Sequence, residues 1–125
     1  MSHKYLIDLD GHVASNPACA WKLLSNCALF KQESRFTQWF DSAIKPWEHY
    51  IPVHHDLDDI FERLEWAKMN DQKVQEIAEN GRRFARENIL AEHLYLYCYK
   101  VLVKYASLQK FIPNSEGLYP TEKVK

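Results

Sequence analysis

Glycine is scarce in this chain, and its scarcity excludes the common phosphate-binding loops. Only Gly11, Gly81 and Gly117 occur among the 125 residues. The P-loop and the GxGxxG turn of dinucleotide-binding folds both need closely spaced glycines, so neither motif can form here.

An excess of charge, paired cysteines and long apolar runs are also missing. Sixteen Lys and Arg residues oppose seventeen Asp and Glu residues, whereas nucleic-acid binding normally needs a clustered basic excess. The three cysteines have no CxxC spacing, so we expect reduced thiols.

No stretch approaches 18 apolar residues, and no membrane span is expected. Because Met1–Lys4 leads directly into a strand-like segment, we expect no signal peptide and a cytoplasmic location.

Apolar and aromatic residues are plentiful enough for one folded domain. Hydrophobic residues make up 46% of the chain and aromatic residues 14%, with four tryptophans. A length of 125 residues allows one domain and hardly two.

The first half of the chain alternates short apolar runs with helix signals. Strands are predicted over residues 4–9, 27–30 and 49–53, and helices over residues 17–25 and 37–43. The first strand is expected to be buried. Segments of this length joined by helices favour a parallel sheet, so the predicted fold class is α/β with about three strands. Pro52 cannot donate a hydrogen bond to a neighbouring strand, so we expect the third strand to lie at an edge of the sheet or to end at Pro52.

The second half is predicted to be helical. One helix begins at Asp56 and ends near Met69, with a single apolar face formed by Leu57, Ile60, Phe61, Leu64 and Ala67.

A second helix begins at Asp71 and buries Val74, Ile77, Ala78, Phe84 and Ala85. Gly81 lies on the same stripe and predicts a close helix contact, although glycine costs about 1 kcal/mol in a helix relative to alanine.

A third helix, residues 91–110, is apolar almost all round, which predicts a buried helix or one clamped between two layers. Residues 111–125 contain two prolines and a glycine and are predicted to form a tail.

Polar residues follow each predicted strand, at the edge where open α/β sheets bind ligands. The first strand ends in Asp8, Asp10 and Gly11, the second in Lys31–Ser34, and the third in residues 54–56. Ser15 or Asn16 caps the first helix, and its free N–H groups point to the same edge. Together they predict a nucleotide crevice, in which the helix start and Lys31 bind phosphate and Glu33 binds ribose hydroxyls. The candidate residues are Asp10, Gly11, Ser15, Asn16, Lys31, Gln32, Glu33 and Ser34.

Each of these signals also has a purely structural interpretation. Asp10-Gly11 is a common turn, Ser15 and Asn16 are good caps without a ligand, and Lys31 and Glu33 suit a solvated loop.

Metal and thiol chemistry are the less favoured alternatives. Three histidines and three aspartates lie within residues 49–59, yet the acidic residues also suit the first turn of a helix, and no zinc spacing is present. Cys19 and Cys27 stand in apolar contexts that indicate packing rather than a nucleophile. We therefore assign no metal ligand and no catalytic residue.

Several separated sequence blocks follow one another in order over residues 4–108. They are Lys4–Gly11, Val13–Ser15, Trp21–Leu24, Leu29–Ser34, Trp39-Phe40, Lys45–Val53, Asp56-Leu57 and Ile77–Gly81 with Phe84. Together these blocks resemble glycosyltransferase family 90, which includes the lipopolysaccharide and capsule sugar transferases and the protein O-glucosyltransferases.

The resemblance implies the donor-binding, C-terminal part of a two-domain, Rossmann-like (GT-B type) enzyme. Such an enzyme works without a metal or other cofactor and moves a sugar from a nucleotide sugar, with a UDP-sugar favoured, to a glycan or lipopolysaccharide-type acceptor. Residues 1–110 would form the donor lobe and residues 111–125 the tail. The family's catalytic and acceptor half is absent, so we expect this chain alone to be inactive. Its expected partners are the nucleotide sugar and either the missing lobe or a second copy bound through exposed apolar surface.

The sequence differs from the family's pattern at a position that concerns phosphate binding. Asn16-Pro17 stands where the eukaryotic members carry an arginine, and no arginine precedes Arg35, which looks more like the bacterial branch.

A different class of function stays open, namely a non-catalytic interaction module that docks a partner on helix 91–110. The two hypotheses differ in whether Lys31–Ser34 faces Asp10-Gly11 across one crevice.

Overall fold

A three-stranded parallel sheet organises the first part of the chain. The computed structural model describes residues 3–11 and 18–110. The strands lie in the order β1-β2-β3. Their bounds and those of the helices are, in chain order, β1 Tyr5–Asp8, α1 Ala18–Leu24, β2 Ala28–Gln32, β3 Ile51–Val53, α2 Ile60–Met69, α3 Asp71–Asn88 and α4 Ala91–Leu108. The predicted α/β class, with a small parallel sheet flanked by helices, is confirmed.

Strand register decides which side chains share a face of the sheet. Leu6 pairs with Leu29 and Asp8 with Lys31, while Phe30 pairs with Ile51. β3 is an edge strand, as Pro52 predicts.

Alternation along the strands produces two apolar clusters. The first includes Phe30, Ile51 and Val53 of the sheet, packed with Val74 and Ile77 of α3. The second gathers residues from β2, from α1 and α3, and from the β2–β3 connection, namely Cys19, Leu23, Leu29, Phe40, Ile44 and Ala85. α3 contributes to both clusters and so joins them.

Gly81 allows α3 to approach its neighbours closely. A Cβ atom at this position would lie 2.6 Å from the carbonyl oxygen of His49 and 3.0 Å from Cδ2 of Leu23 in α1. The predicted close helix contact is therefore confirmed. The buried stripe of α3 is confirmed as well, with Phe84 only half-buried.

The helix predicted over residues 37–43 does not form. This segment is a series of turns, in which the N–H groups of Asp41 and Ala43 donate to the carbonyls of Gln38 and Phe40. The carboxylate of Asp41 accepts the N–H of Gln38 at 2.7 Å. A short polar side chain that binds nearby backbone in this way competes with helix formation.

The predicted start of α2 is also wrong. Residues 56–59 form turns, Leu57 has a positive φ of 65°, and the helix begins at Ile60. The carboxylate of Asp56 accepts the N–H of Asp58 and thus stabilises a turn rather than a helix start. Phe61, predicted to lie on the apolar face of this helix, is 79% exposed.

β1 is less buried than its apolar sequence indicates. Ile7 of β1 and Leu9, which follows the strand, are 41% and 47% exposed, because β1 is the other edge strand of the described sheet and the described residues do not cover these two side chains.

The chain divides into two compact units, Met1–His93 and Leu94–Lys125. α4 buries none of its residues, so the prediction of a buried or clamped helix is wrong for this chain. A broad apolar face shows that burial is favourable but does not show that the same chain supplies the cover. Among the described residues, no helix has the length and apolar character that a membrane crossing requires. The predicted tail, residues 111–125, lies outside the described residues.

Candidate functional site

The side-chain amide of Gln32 links the polar segments that follow the three strands. Gln32 is the last residue of β2. Its Oε1 accepts the N–H of Asp10 at 2.8 Å, and its Nε2 donates to the carbonyl of His55. The N–H of Glu33 also donates to the carbonyl of Val53 at the end of β3. Asp10 and Lys31–Ser34 therefore lie at one edge of the sheet.

A cavity of about 220 Å³ opens beside the end of β2. It is lined by the four predicted residues of Lys31–Ser34 and by residues of the β2–β3 connection, including Asp41 and Tyr50. Asp10 and Gly11 do not line it. Ser15 and Asn16 lie outside the described residues.

Five described residues that line this cavity are not among the predicted site residues, namely Phe36, Thr37, Asp41, Ile44 and Tyr50. Alternation within the predicted third strand places Tyr50 on the face of Pro52, but only the register of the structure, in which Pro52 pairs with Lys31, shows that this face lies beside Lys31. Asp41 lies in the turns that the sequence predicts as a helix, so no sequence signal indicates it.

Lys31 forms an ion pair in the cavity and is not a free cation. Its Nζ lies 3.8 Å from Oδ1 of Asp41, and the two side chains are only 14% and 13% exposed. The same Nζ lies 5.9 Å from the centre of the Tyr50 ring. Asp41 Oδ1 is buried and accepts no hydrogen bond from the described residues, so Lys31 is the charge that compensates it.

A second ion pair stands next to the first. Lys22 Nζ of α1 lies 2.7 Å from Oδ1 of Asp8, again with both side chains largely buried. Asp8 shares a sheet face with Lys31 through the strand register.

Cys19 is packed between these charges. Burial, with a smaller contribution from Asp8, raises the pKa of its thiol to about 12. The thiol therefore stays protonated at neutral pH, which fits a packing role rather than that of a nucleophile.

Tyr50 offers the cavity a neutral phenol. Burial and then the negative charge of Asp41 raise its pKa. Its hydroxyl therefore remains a hydrogen-bond donor at neutral pH.

Asp59 fixes the segment that follows β3. This buried carboxylate accepts the N–H of His54 at 2.9 Å and Nε of Arg63 at 2.8 Å. Although burial opposes the charged form, these hydrogen bonds lower the pKa of Asp59. The segment that accepts the Gln32 amide is thus held to the first turn of α2.

His54, Asp56 and Asp58 form a surface group with the geometry of a metal site. One ligand atom from each lies within 4.8 Å of the others, and all three residues are exposed. A hydrogen bond with Asp58 (2.9 Å) and the nearby charge of Asp59 raise the pKa of His54. Hydrogen bonds within this segment stabilise a turn, and this turn explains why the three side chains lie close together.

The fold and this edge define the class of protein: a parallel α/β unit of the kind that binds ligands beyond its strand ends. The model of the family described as "Glycosyl transferase family 90" matches residues 1–120. The chain belongs to that family.

Curated relatives agree with this assignment over most of the chain. Protein O-glucosyltransferase 3 of Mus musculus is 39% identical over 111 residues, covering 89% of this chain and 22% of the relative. Protein O-glucosyltransferase 2 of Danio rerio is 35% identical over 124 residues, covering 98% and 25%. Protein O-glucosyltransferase 1 of Homo sapiens is 32% identical over 109 residues, covering 87% and 28%. The chain thus spans about a quarter of the length of these relatives.

Proposed function

We propose that this chain is the donor-binding part of a glycosyltransferase and holds a nucleotide sugar at the carboxyl edge of its sheet. The observation that carries the proposal is the Gln32 amide, which brings Asp10 and the Lys31–Ser34 segment to one edge. Open α/β sheets bind ligands at this edge, and the chain belongs to a glycosyltransferase family. The proposed donor-binding residues are Asp10, Gly11, Ser15, Asn16, Lys31, Gln32, Glu33 and Ser34.

The contribution of this part to sugar transfer is positional and electrostatic. A donor held in a fixed orientation reacts in an effectively unimolecular step, and fixed dipoles at the edge stabilise the charge that develops on the departing nucleoside diphosphate. Groups outside this chain would supply the acceptor and the proton transfer. The favoured donor is a UDP-sugar, bound without a metal ion.

The proposed acceptor is a hydroxyl group of a glycan or a lipopolysaccharide-type saccharide, as in the bacterial branch. The names of the relatives make a protein hydroxyl the competing acceptor.

Calorimetric titration of the purified chain with UDP, with and without a divalent metal, tests the proposal. We expect binding that does not depend on the metal, with a Kd in the high micromolar range. Lys31→Ala and Glu33→Ala should weaken it, whereas Lys68→Ala, an exposed lysine of α2, should not. Failure to bind millimolar UDP, GDP or CMP would contradict a donor site in this chain.

The alternative function, an interaction module, is favoured by one observation. α4 carries exposed large apolar side chains along its whole length, among them Tyr95, Tyr99, Leu102 and Tyr105. Both functions are compatible if α4 docks the rest of a transferase or a second copy of this chain. If UDP binding is unchanged after substitution of α4 residues, the donor site does not depend on the apolar surface of α4.

A further inference from the structure

We infer that the unit Met1–His93 contains a second binding site, at the amino edge of its sheet, for a phosphate monoester that also carries hydroxyl groups. The site is an open cavity of about 560 Å³ between α3 and the turn that joins α1 to β2. It is lined by Asn26, Glu79, Arg82, Arg83, Arg86 and Glu87. None of these residues belongs to the candidate donor site, so this second site stands or falls independently of the proposed function.

The cavity lies at the edge of the sheet opposite the proposed donor site. Asn26 precedes β2 and has a positive φ of 63°, a conformation that asparagine tolerates better than most residues. Gln32, in the donor site, is the last residue of the same strand. A strand rises about 3.3 Å per residue, so the length of β2 separates the two sites, and a ligand in one leaves the other open.

Three arginines of α3 face this cavity from one side of the helix. Arg82 and Arg86 are four residues apart, and Arg83 and Arg86 are three apart, so the side chains are neighbours on the helix surface. All three are exposed. Nη2 of Arg83 donates to Oδ1 of Asn80 at 2.7 Å, which engages one of the five N–H groups of its guanidinium. The other N–H groups of Arg83 stay available to a ligand.

The positive charge of this cavity is not compensated as it is elsewhere in the same unit. The lysines and arginines of Met1–His93 that pair with a carboxylate are Lys4, Lys22, Lys31, Lys45, Arg63, Lys68 and Lys73. Arg35 lies instead over the ring of Phe36, with its Cζ atom 4.9 Å from the ring centre. Within the described part of the unit, the lysine and arginine side chains that remain without an ion pair are those of the three cavity arginines. The uncompensated positive charge is therefore concentrated in one cavity.

The chemistry of the lining favours one phosphate group together with hydroxyl groups. Guanidinium groups bind phosphate oxygens through two parallel N–H bonds. The carboxylates of Glu79 and Glu87 reduce the net charge of the lining to about +1, which disfavours a polyphosphate. Each carboxylate accepts hydrogen bonds from hydroxyl groups, and the amide of Asn26 both donates and accepts.

The size of the cavity indicates a ligand larger than inorganic phosphate. Small-molecule sites measure roughly 300–1,000 Å³, and this cavity of about 560 Å³ lies within that range. A soluble sugar phosphate and the headgroup of a phosphoinositide lipid both present a phosphate monoester beside several hydroxyl groups. The two sources share the proposed chemistry and are separated by experiment.

NMR titration of the isotope-labelled chain locates the ligand. With glucose 6-phosphate we expect saturable shifts of the Nε–H signals of Arg82 and Arg86 and of the side-chain amide of Asn26, but not of the side-chain amide of Gln32. Inorganic phosphate should bind about fivefold more weakly, because it lacks the hydroxyl groups. Shifts that do not saturate, or that sodium chloride reproduces at the same ionic strength, would overturn the inference.

Substitution of the arginines tests the phosphate contacts. The double variant Arg82→Gln, Arg86→Gln should weaken binding of glucose 6-phosphate by about tenfold or more. Lys68→Gln with Lys73→Gln removes the same charge from exposed lysines that have carboxylate partners, and should change binding less than about twofold. Equal losses in the two double variants would show a general charge effect and overturn the inference.

Substitution of the carboxylates tests the hydroxyl contacts. In Glu79→Gln with Glu87→Gln, inorganic phosphate should bind more tightly because two negative charges are gone. Glucose 6-phosphate should gain less, because its hydroxyl groups lose two charged acceptors. The preference for glucose 6-phosphate over phosphate should therefore fall, and an unchanged preference would overturn a site for a hydroxyl-bearing ligand.

Vesicle cosedimentation distinguishes the two sources. Phosphatidylcholine vesicles that contain phosphatidylinositol 4-phosphate are compared with phosphatidylcholine vesicles alone, using the parent chain and the Arg82→Gln, Arg86→Gln variant. Extra binding that disappears in the variant would assign the site to a lipid headgroup, and binding of glucose 6-phosphate without it would assign the site to a soluble ligand. Absence of both overturns the inference. UDP binding should be the same in the parent chain and in the arginine variant, so a failure here leaves the proposed donor site untouched.

Discussion

At the residue scale, Gln32 shows how one amide can align three strand ends. Its oxygen and its nitrogen are both used by backbone groups, those of Asp10 and His55. The amide oxygen can still accept a second hydrogen bond, and the nitrogen can still donate one from its other proton. Within the proposed site, Gln32 therefore positions the neighbouring segments and keeps one donor and one acceptor position for a ligand.

The substitution Gln32→Glu keeps one of the two hydrogen bonds of this amide and removes the other. The new carboxylate can still accept the N–H of Asp10, but it faces the carbonyl of His55 without a proton to donate. We expect the free energy of unfolding to fall by about 1–2 kcal/mol, and UDP binding to weaken with it. Urea unfolding at neutral pH measures the first quantity and calorimetry the second. Gln72→Glu, on the exposed first turn of α3, should change stability by less than about 0.5 kcal/mol; equal effects of the two substitutions would contradict the role of Gln32.

His49 makes the stability of the chain dependent on pH. Its Nδ1 accepts the N–H of Lys45 at 3.0 Å, which requires the unprotonated nitrogen. Burial lowers the pKa of His49, with Lys45 and Arg83 contributing and Glu48 opposing. The stabilisation is thus complete above the unfolded pKa of about 6.5 and is lost as the pH falls through the lower pKa of the folded state.

Urea unfolding across this pH range tests His49. We expect the free energy of unfolding to decrease as the pH falls below about 6.5, and His49→Asn, whose side-chain oxygen can replace Nδ1 as acceptor, to flatten this decrease. His54 supplies a control of opposite sign. Its pKa is raised, so its stabilisation is present at low pH and is lost as the pH rises through that pKa. An unchanged pH slope in His49→Asn would show that another group is responsible.

The candidate site could be predicted only where a regular strand carries the residues. Strand alternation and the polar ends of β1 and β2 locate Asp10 and Lys31–Ser34 at one edge, and the structure brings them together. The pairing of Lys31 with Asp41 depends on the path of the turns between them. Those turns are stabilised by hydrogen bonds between side chains and backbone, such as that of Asp41 with Gln38, and the spacing of apolar residues does not reveal such bonds. The sequence therefore predicts a role for Lys31 from its position at the end of β2 but not its ion pair with Asp41.

At the scale of elements, α3 holds the fold together through its contact at Gly81. The helix packs on both apolar clusters and meets the backbone of His49 directly. Long periodic helices such as α3 are predicted well from sequence, because many residues carry the same signal. The segment 37–43 and the start of α2 were mispredicted, because in each an aspartate carboxylate stabilises a turn that a short apolar pattern does not reveal.

Gly81→Ala tests the close approach of α3. Alanine improves helix propensity by about 1 kcal/mol, but its Cβ would lie 2.6 Å from a backbone oxygen, which a flexible side chain cannot relieve. Overpacking of this kind costs typically about 1–3 kcal/mol, so we expect a net loss of stability in urea unfolding. Arg82→Ala, exposed on the same helix, should be near neutral. A Gly81→Ala variant more stable than the parent chain would show that the contact can relax.

At the scale of the whole molecule, α4 exposes large apolar side chains. The chain spans 22–28% of the length of the relatives described above, and the matched region includes α4. An exposed apolar helix of this kind marks an interaction surface or an aggregation site. The predicted domain boundary at residue 110 and the predicted cytoplasmic location stay predictions.

Self-association is the consequence we expect for the chain on its own. Leu102 and Tyr105 are 65% and 61% exposed, and burying such side chains between two copies removes apolar surface from water. Sedimentation velocity over a wide concentration range should therefore show a mass that rises with concentration. The double variant Leu102→Lys, Tyr105→Lys should shift this equilibrium towards the monomer, whereas Ser107→Lys, on the side of α4 that carries Lys100 and Lys104, should not. A parent chain that stays monomeric throughout would contradict association through α4.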